Sequence, residues 1–341
     1  MDIIIFPPTI DWTFMKQRPQ QLMTQFASKG YLVFYCNKTQ KDCDMEQLSS
    51  NLYLVHNHDQ WVTEILPLFR YKKKGRVGVW CSWSKLADTL DVYESDWIIY
   101  DCVDDFAIAL QYEKAMVAKA DAITCTADRI YDRLKKMYPD KLIKLVPNAY
   151  DESMGLHLKN NFAENNNKII GYIGAWAPWV DEVLIRKLAY AVPTSNIVII
   201  GIEFDKKFRL HDVPNITYLG HLPHSELAAH LQTFSVCLIP FKINSITLAT
   251  NPVKMYEYLA TGKPVVSSNI PECRKYEEVI SIGTSHLDFI AKVKSLLKEP
   301  GDSGPRRQIA LSNTWDHRCN SILSLIESIL NKSNGEDDQV L

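Results

Sequence analysis

The sequence has no C-x-x-C pair, no apolar run long enough to cross a membrane, and no surplus of either charge. Each absence excludes something. A formal net charge of -2 excludes a nucleic-acid binder held by bulk charge. The eight cysteines, Cys36, Cys43, Cys81, Cys102, Cys125, Cys237, Cys273 and Cys319, lack the spacing of a zinc site. Several lie in or beside apolar runs (VFYC, WIIYDC, AITC, SVCLIP), where a thiol serves as a small buried hydrophobe. The start MDIIIFPPTI has neither the basic residues nor the long apolar stretch of a signal peptide, so a cytoplasmic location is expected. The turn FPPTIDW (6–12) contains no G-x-G-x-x-G, which removes the fingerprint of a dinucleotide-dependent oxidoreductase. The acidic segment YDCVDDF (100–106) is not D-x-D and gives no strong metal signal.

What is present is an ordinary globular composition, 46% hydrophobic and 23% charged. A chain of 341 residues exceeds one ordinary core, so two domains are expected. Short apolar runs alternate with helical segments. DIIIF (2–6), YLVFY (31–35), LYLVH (52–56), VGVW (77–80), DWIIY (96–100), AITC (122–125) and IKLV (143–146) read as strands. After the polar, Asn-rich stretch 157–168, which reads as a linker, the pattern restarts with strands at 168–174, 196–201, 216–220, 235–240 and 264–268. Such alternation implies right-handed crossovers and parallel sheets covered on both faces. The fold class is therefore α/β, with two Rossmann-like domains in tandem facing a central cleft, where ligands bind at the carboxyl ends of the strands. The expected division is 1–156, 168–312, a C-terminal helix 313–330 crossing back to the first domain, and a flexible polar tail 331–341.

The segment NPVKMYEYLATGKPVVSS (251–268) is the most informative. Asn251 suits an N-cap, Pro252 the first helical position, and Gly262 the position just past the helix end. Lys254 then falls in the first turn, where the helix end is already positive. An anion docked on the free N–H groups would resolve that conflict. The plainer reading pairs Lys254 with Glu257 at i,i+3. GYIGAW (171–176) puts two glycines at a strand end, which permits either a ligand's close approach or a simple tight turn.

Together GYIGAW, TYLGHLPHSEL, NPVKMYEYLATGKPVVSS and two Rossmann-like halves resemble a family-4 glycosyltransferase of the GT-B fold. KQRPQQLM and YDCVDDF resemble the bacterial teichuronic-acid-type polysaccharide glycosyltransferases within it. The resemblance implies transfer of a sugar from a nucleotide-sugar donor, expected to be a UDP-sugar, to a cell-surface polysaccharide or lipid-linked acceptor, with retention and without a metal or other cofactor. It places Glu257 on the ribose hydroxyls of the donor. The diphosphate falls on Asn251, Pro252 and Val253, beside Thr250, with Lys254 neutralising the leaving group. Gly174, Ala175 and Trp176 fall in the loop beneath the donor. The sequence departs from the pattern at Ala249, where many members carry a second Glu, and at GAWAPWVDE (174–182), which has no basic residue.

Asp101, Asp104 and Asp105 follow a strand end; Asp104, then Asp105, are candidates for a base or an acceptor-positioning group, against plain capping or solvated acids. Arg18, Asp11 and Trp12 are acceptor-side candidates, Arg18 being equally readable as a surface arginine. Trp176 and Trp179 suit stacking or core packing. His56 and His58, spaced i,i+2 at a strand end, could bind a metal but lack further Cys or acid ligands nearby and read as ordinary polar histidines; so do His221 and His224, near the expected nucleotide-base pocket. The segment 61–76 combines an apolar helix face with Arg70, Lys72, Lys73, Lys74 and Arg76, which suits either inner-leaflet contact or a core-facing helix with a solvated loop. A non-catalytic sugar-nucleotide-binding partner in a glycosyltransferase complex and a GT-B-fold UDP-sugar epimerase are the alternative functions.

Overall fold

The structure is a computed structural model that describes residues 1–43, 45–73, 75–158 and 168–337. The Asn-rich stretch 159–167, Lys74 of the basic loop and residues 338–341 lie outside the described residues. The chain forms two compact units, Met1–Pro147 with Trp315–Leu341, and Asn148–Thr314.

The first unit is built on eight strands: β1 (Ile3–Phe6), β2 (Leu32–Cys36), β3 (Glu46–Ser49), β4 (Leu52–Val55), β5 (Val77–Cys81), β6 (Trp97–Cys102), β7 (Ala122–Cys125) and β8 (Leu142–Leu145). Their order is β3-β4-β2-β1-β5-β6-β7-β8. All neighbours are parallel except β3, which runs antiparallel to β4. Strands β1, β2 and β5 are buried along their whole length. That is why they read as continuous apolar runs rather than alternating ones. Strand β3 (EQLS) was not expected: it is an exposed, polar edge strand and carries no apolar signal.

The second unit holds six parallel strands, β9 (Ile169–Ile173), β10 (Asn196–Ile200), β11 (Ile216–Gly220), β12 (Val236–Ile239), β13 (Val265–Ser268) and β14 (Ile280–Gly283). Their order is β11-β10-β9-β12-β13-β14. Strand β14 (ISIG) is a second unexpected edge strand. Its four residues include Gly283, too short a run to register as a strand by pattern.

Helix α1 (Arg18–Ser28) follows β1 and opens with a capping box between Gln17 and Gln20. Helix α2 (Leu66–Lys73) turns Leu66 and Phe69 inward, Phe69 meeting the Phe34 ring at 5.0 Å. Leu68 and Tyr71 stay outside, and Arg70 is tied to Glu94 and to the carbonyls of Tyr93 and Glu94. The C-terminal helix α3 (Trp315–Asp337) belongs to the first unit and runs on past residue 330. Seven cysteines are buried as expected; Cys43 is exposed. No helix among the described residues is long and apolar enough to cross a membrane.

Candidate functional site

In the second unit, β9 ends at Ile173 and the chain turns through Gly174 at φ +141, a conformation that L side chains rarely adopt. A Cβ on Gly174 would lie 2.6 Å from both Cε and Nζ of Lys254. The bare glycine is therefore what lets the lysine lie against the turn. Lys254 projects from the first turn of the helix Val253–Thr261, which Gly262 ends in the left-handed conformation. The ammonium sits over the rings of Phe241 and Tyr172, at 5.0 and 5.2 Å. It has no hydrogen bond and no ion pair among the described residues. The plainer reading, an exposed pair with Glu257, is therefore not what forms. Burial pushes the Lys254 ammonium down to about 8, with the Glu257 charge opposing.

The helix start differs from expectation. Asn251 is not its cap: Pro252 occupies that position, and the first turn has neither a side-chain cap nor an acid. The Asn251 side chain is buried and used elsewhere. Its Oδ1 accepts from the Asn148 N–H at 3.0 Å, and its Nδ2 donates to Glu272 at 2.8 Å. The Asn148 side chain donates in return to the Asn251 carbonyl at 2.6 Å. A buried amide must satisfy its own groups first, and these partners outcompete the helix N–H groups. The consequence is a helix end held firmly in place and without a side-chain cap, beside a cation that meets no counter-ion among the described residues.

One turn further on, Glu257 is 8% exposed and accepts no hydrogen bond among the described residues. The nearest cationic candidate is His224 Nε2 at 3.9 Å. A strand-end glycine turn, an unpaired lysine and an unbonded carboxylate on one helix thus gather at the carboxyl edge of the second sheet. Residues 167–299, which contain all three, match the family model for glycosyl transferases group 1. The second unit carries a glycosyl transferases group 1 domain.

Two relatives agree with that assignment, and solved structures share the fold. The chain is 26% identical over 264 residues, 66% of its length, to TuaH of Bacillus subtilis (strain 168), which bears the name of a teichuronic acid biosynthesis glycosyltransferase. It is 23% identical over 197 residues, 55% of its length, to the GDP-mannose-dependent alpha-mannosyltransferase of Mycolicibacterium smegmatis. These matches span 65% and 49% of the two relatives' own lengths. Among solved structures, Anabaena Alr3699/HepE in complex with UDP and glucose superposes with a TM-score of 0.67 at 12% identity, covering 96% of this chain and 99% of that one. The fold is GT-B, made of two Rossmann-like units.

Around the group 1 domain's glycine turn, Ala175 accepts from the Tyr172 hydroxyl at 2.8 Å through its carbonyl. Trp176 is not a stacking platform. Its ring is fully buried, edge-on to Phe208 at 4.9 Å, and its Nε1 donates to the Lys207 carbonyl at 3.3 Å. Trp179 packs against Phe204. Thr250 Oγ1 donates to the Ile246 carbonyl at 2.9 Å and Ala249 is fully buried. The loop without basic residues is braced by Lys206, which donates to the Val180 carbonyl and approaches Glu182 to 3.3 Å.

In the first unit the expected candidates separate. Arg18 is 2% exposed, not a surface arginine, and forms a two-point pair with Asp101 at 2.7 and 2.8 Å. It also donates to the Val146 carbonyl at 2.9 Å, while Thr124 and Trp80 donate to Asp101. This buried cluster holds the carboxyl edge of β6 together and leaves Arg18 committed within its unit. Asp105 pairs with Arg133 at 2.9 Å, which also grips buried Glu113. Asp104 alone has no hydrogen bond among the described residues. Burial first, and then the neighbouring Asp105 charge, push its carboxyl up to about 6. Asp11 is bonded twice to Thr39, at 2.7 and 2.6 Å. The Trp12 N–H donates to Asn37 at 2.8 Å, and its ring meets Tyr35 edge-on at 5.0 Å. Both residues fix the loop after β1.

His56 contacts Asn37 and Glu46, and His58 contacts Tyr93 and Asp59, as ordinary polar histidines do. His224 departs from that reading, because its Nε2 is buried without a partner. The sequence places it, with His221, near the expected nucleotide-base pocket but does not foretell a buried ring nitrogen.

Proposed function

We propose that this protein transfers a sugar from a nucleotide-sugar donor to a glycan or lipid-linked acceptor. The observation that carries the reading is Lys254: a half-buried side chain whose ammonium meets no counter-ion among the described residues, set at an uncapped helix start. That arrangement is unfavourable when empty and favourable with a diphosphate in place. In the proposed reaction the bond from the anomeric carbon to the diphosphate oxygen breaks and a bond to the acceptor hydroxyl oxygen forms. The acceptor's proton leaves with the diphosphate, whose growing charge Lys254 stabilises. The departing phosphate serves as proton acceptor in the retaining course, which the resemblance favours. A UDP-sugar is the first donor to test. The Anabaena structure contains UDP, while the mycobacterial relative is named for GDP-mannose.

The test is thermal unfolding with UDP, GDP, ADP and NAD, on the native protein and Glu257→Ala. A nucleoside diphosphate at about a hundred times its dissociation constant is expected to add about 2.7 kcal/mol to native stability. Glu257→Ala is expected to lose most of that gain. Stabilisation by NAD alone, or by no nucleotide, would reject the proposal.

The lysine also sets a pH dependence. The free amine is charged below about pH 8, and a bound diphosphate would hold it charged to higher pH. Nucleoside diphosphate affinity is therefore expected to be flat up to about pH 7.5 and to fall, approaching about tenfold per pH unit, above pH 8. Calorimetric titration between pH 7 and 9.5 reads this directly. An affinity that stays constant across that range removes the amine from the contact.

A further inference from the structure

The second unit also carries an open cavity of about 550 Å³. Its lining is Glu182, Glu203, Asp205, Lys206, Lys207 and Arg209, three carboxylates against three cations. The loop 174–182 separates it from Lys254. Trp176 pairs with Glu203 on the β10 side of that loop, and Val180 pairs with Phe241, over which the Lys254 ammonium sits, on the β12 side. The walls are fixed by the backbone: the Trp176 N–H donates to the Ile202 carbonyl at 2.7 Å and the Phe204 N–H to the Trp176 carbonyl at 3.0 Å. Lys206 approaches Glu182 to 3.3 Å and Lys207 approaches Glu203 to 2.8 Å. The Asp205 carboxylate and the Arg209 guanidinium meet no partner among the described residues. Phe204, which stands between two lining residues in the chain, is 37% exposed and tilts against Trp179 at 6.0 Å. The Trp179 indole N–H also meets no partner among the described residues, and it is not closed off from solvent.

Such a lining selects by exclusion. A phosphate or a carboxylate would face the three acids, and an organic cation would face the three bases. An apolar ligand would strip water from all six charges. No group of three or more acids, histidines or cysteines among the described residues is placed to hold a metal ion. A neutral polyhydroxyl ligand fits, because each hydroxyl donates to a carboxylate and accepts from an ammonium or guanidinium. The volume lies in the ordinary range of small-ligand sites. The Phe204 and Trp179 rings add apolar faces, and the indole a further donor. We infer that this cavity binds a neutral sugar unit of the acceptor glycan, with Asp205 and Arg209 as the pair that holds its hydroxyls. The inference rests on the transferase reading and deepens it: the acceptor is a glycan chain, gripped by a sugar away from the reacting end. A ligand without charge makes this binding nearly independent of salt.

The experiment titrates the full chain with neutral trisaccharides of glucose, galactose, mannose and N-acetylglucosamine, and with trigalacturonate as the anionic comparison, read by saturation-transfer NMR and calorimetry at low and high salt. UDP, GDP and ADP are titrated alongside. At least one neutral trisaccharide is expected to bind with a dissociation constant of about 1 mM, unchanged by salt. Asp205→Asn and Arg209→Gln are each expected to weaken it about tenfold or more. Asparagine tolerates the left-handed φ of +50 that Asp205 holds, and neither side chain has a partner to lose, so Tm and nucleotide affinity are expected to stay at native values. Binding of no neutral trisaccharide, equal binding by both variants, or tightest binding by trigalacturonate overturns the inference and leaves the nucleotide-sugar reading intact. Failure of every nucleoside diphosphate, with trisaccharide binding that both variants weaken, overturns the transferase reading and keeps the cavity as a sugar site.

Discussion

Lys254→Met is expected to cost about 10- to 100-fold in nucleoside diphosphate affinity while making the empty protein more stable. The first effect follows from removing the side chain's whole charge at an anion contact, where a hydrogen bond between charged groups is worth about 1.5–3 kcal/mol. The loop 174–182 contains no basic residue to compensate. The second effect follows from burial. Lys254 titrates near 8 in the folded protein, against its ordinary value of 10.5. Between those values the unfolded chain binds more protons, so stability of the empty protein rises with pH across that window and is penalised below it. Methionine keeps the apolar stem and its contacts with Tyr172 and Phe241 and removes the penalty. A gain of about 1 kcal/mol raises Tm by about 2–4 °C in a unit of this size. Calorimetric binding together with unfolding scans of both proteins at pH 7 reads the two effects. A variant that loses stability and keeps its affinity would contradict both halves.

Arg18→Ala is expected to destabilise the first unit by about 3–5 kcal/mol, because it leaves Asp101 charged, buried and without its cation. The second variant to make is Arg18→Met with Asp101→Leu. Removing both charges together is expected to recover much of the loss, as apolar replacements of buried pairs commonly do. Denaturant unfolding separates this from an acceptor-binding role. If Arg18→Ala unfolds at the native midpoint and only turnover falls, the arginine faces the acceptor after all.

The alternation of apolar runs and helical segments is enough to place twelve of the fourteen strands, most of which are buried on both faces and leave an unbroken apolar trace. The two that escaped, EQLS and ISIG, lie at sheet edges: EQLS is exposed and mostly polar, and ISIG is a short run interrupted by a serine and ended by a glycine. Lys254 stands out in the sequence because helix signals and an electrostatic conflict coincide at Asn251–Lys254, whereas Glu257 is singled out only by the resemblance. The Arg18 pairing was not legible, since Asp101 lies 83 residues away and no local pattern joins them. Asn251 looked like a cap for a sound local reason, yet Asn148, 103 residues earlier, claims it. Trp176 and His224 needed side-chain directions, one turned inward and the other left without a partner, and composition holds no record of direction.

The assignment of the C-terminal helix to the first unit affects the order in which the protein is made. The second unit, Asn148–Thr314, is one unbroken length of chain, whereas the first is assembled from two lengths that flank it. On the ribosome, domains fold as their residues emerge. The second unit has all its residues before the first does. The first must wait, with Lys29 just past α1 lacking Asp316, Lys144 lacking the Ser321 carbonyl, and the Pro147 carbonyl lacking Arg318. The early-synthesised unit is thus the last to be finished, and nascent chains stopped before Trp315 should hold a complete second unit and an incomplete first.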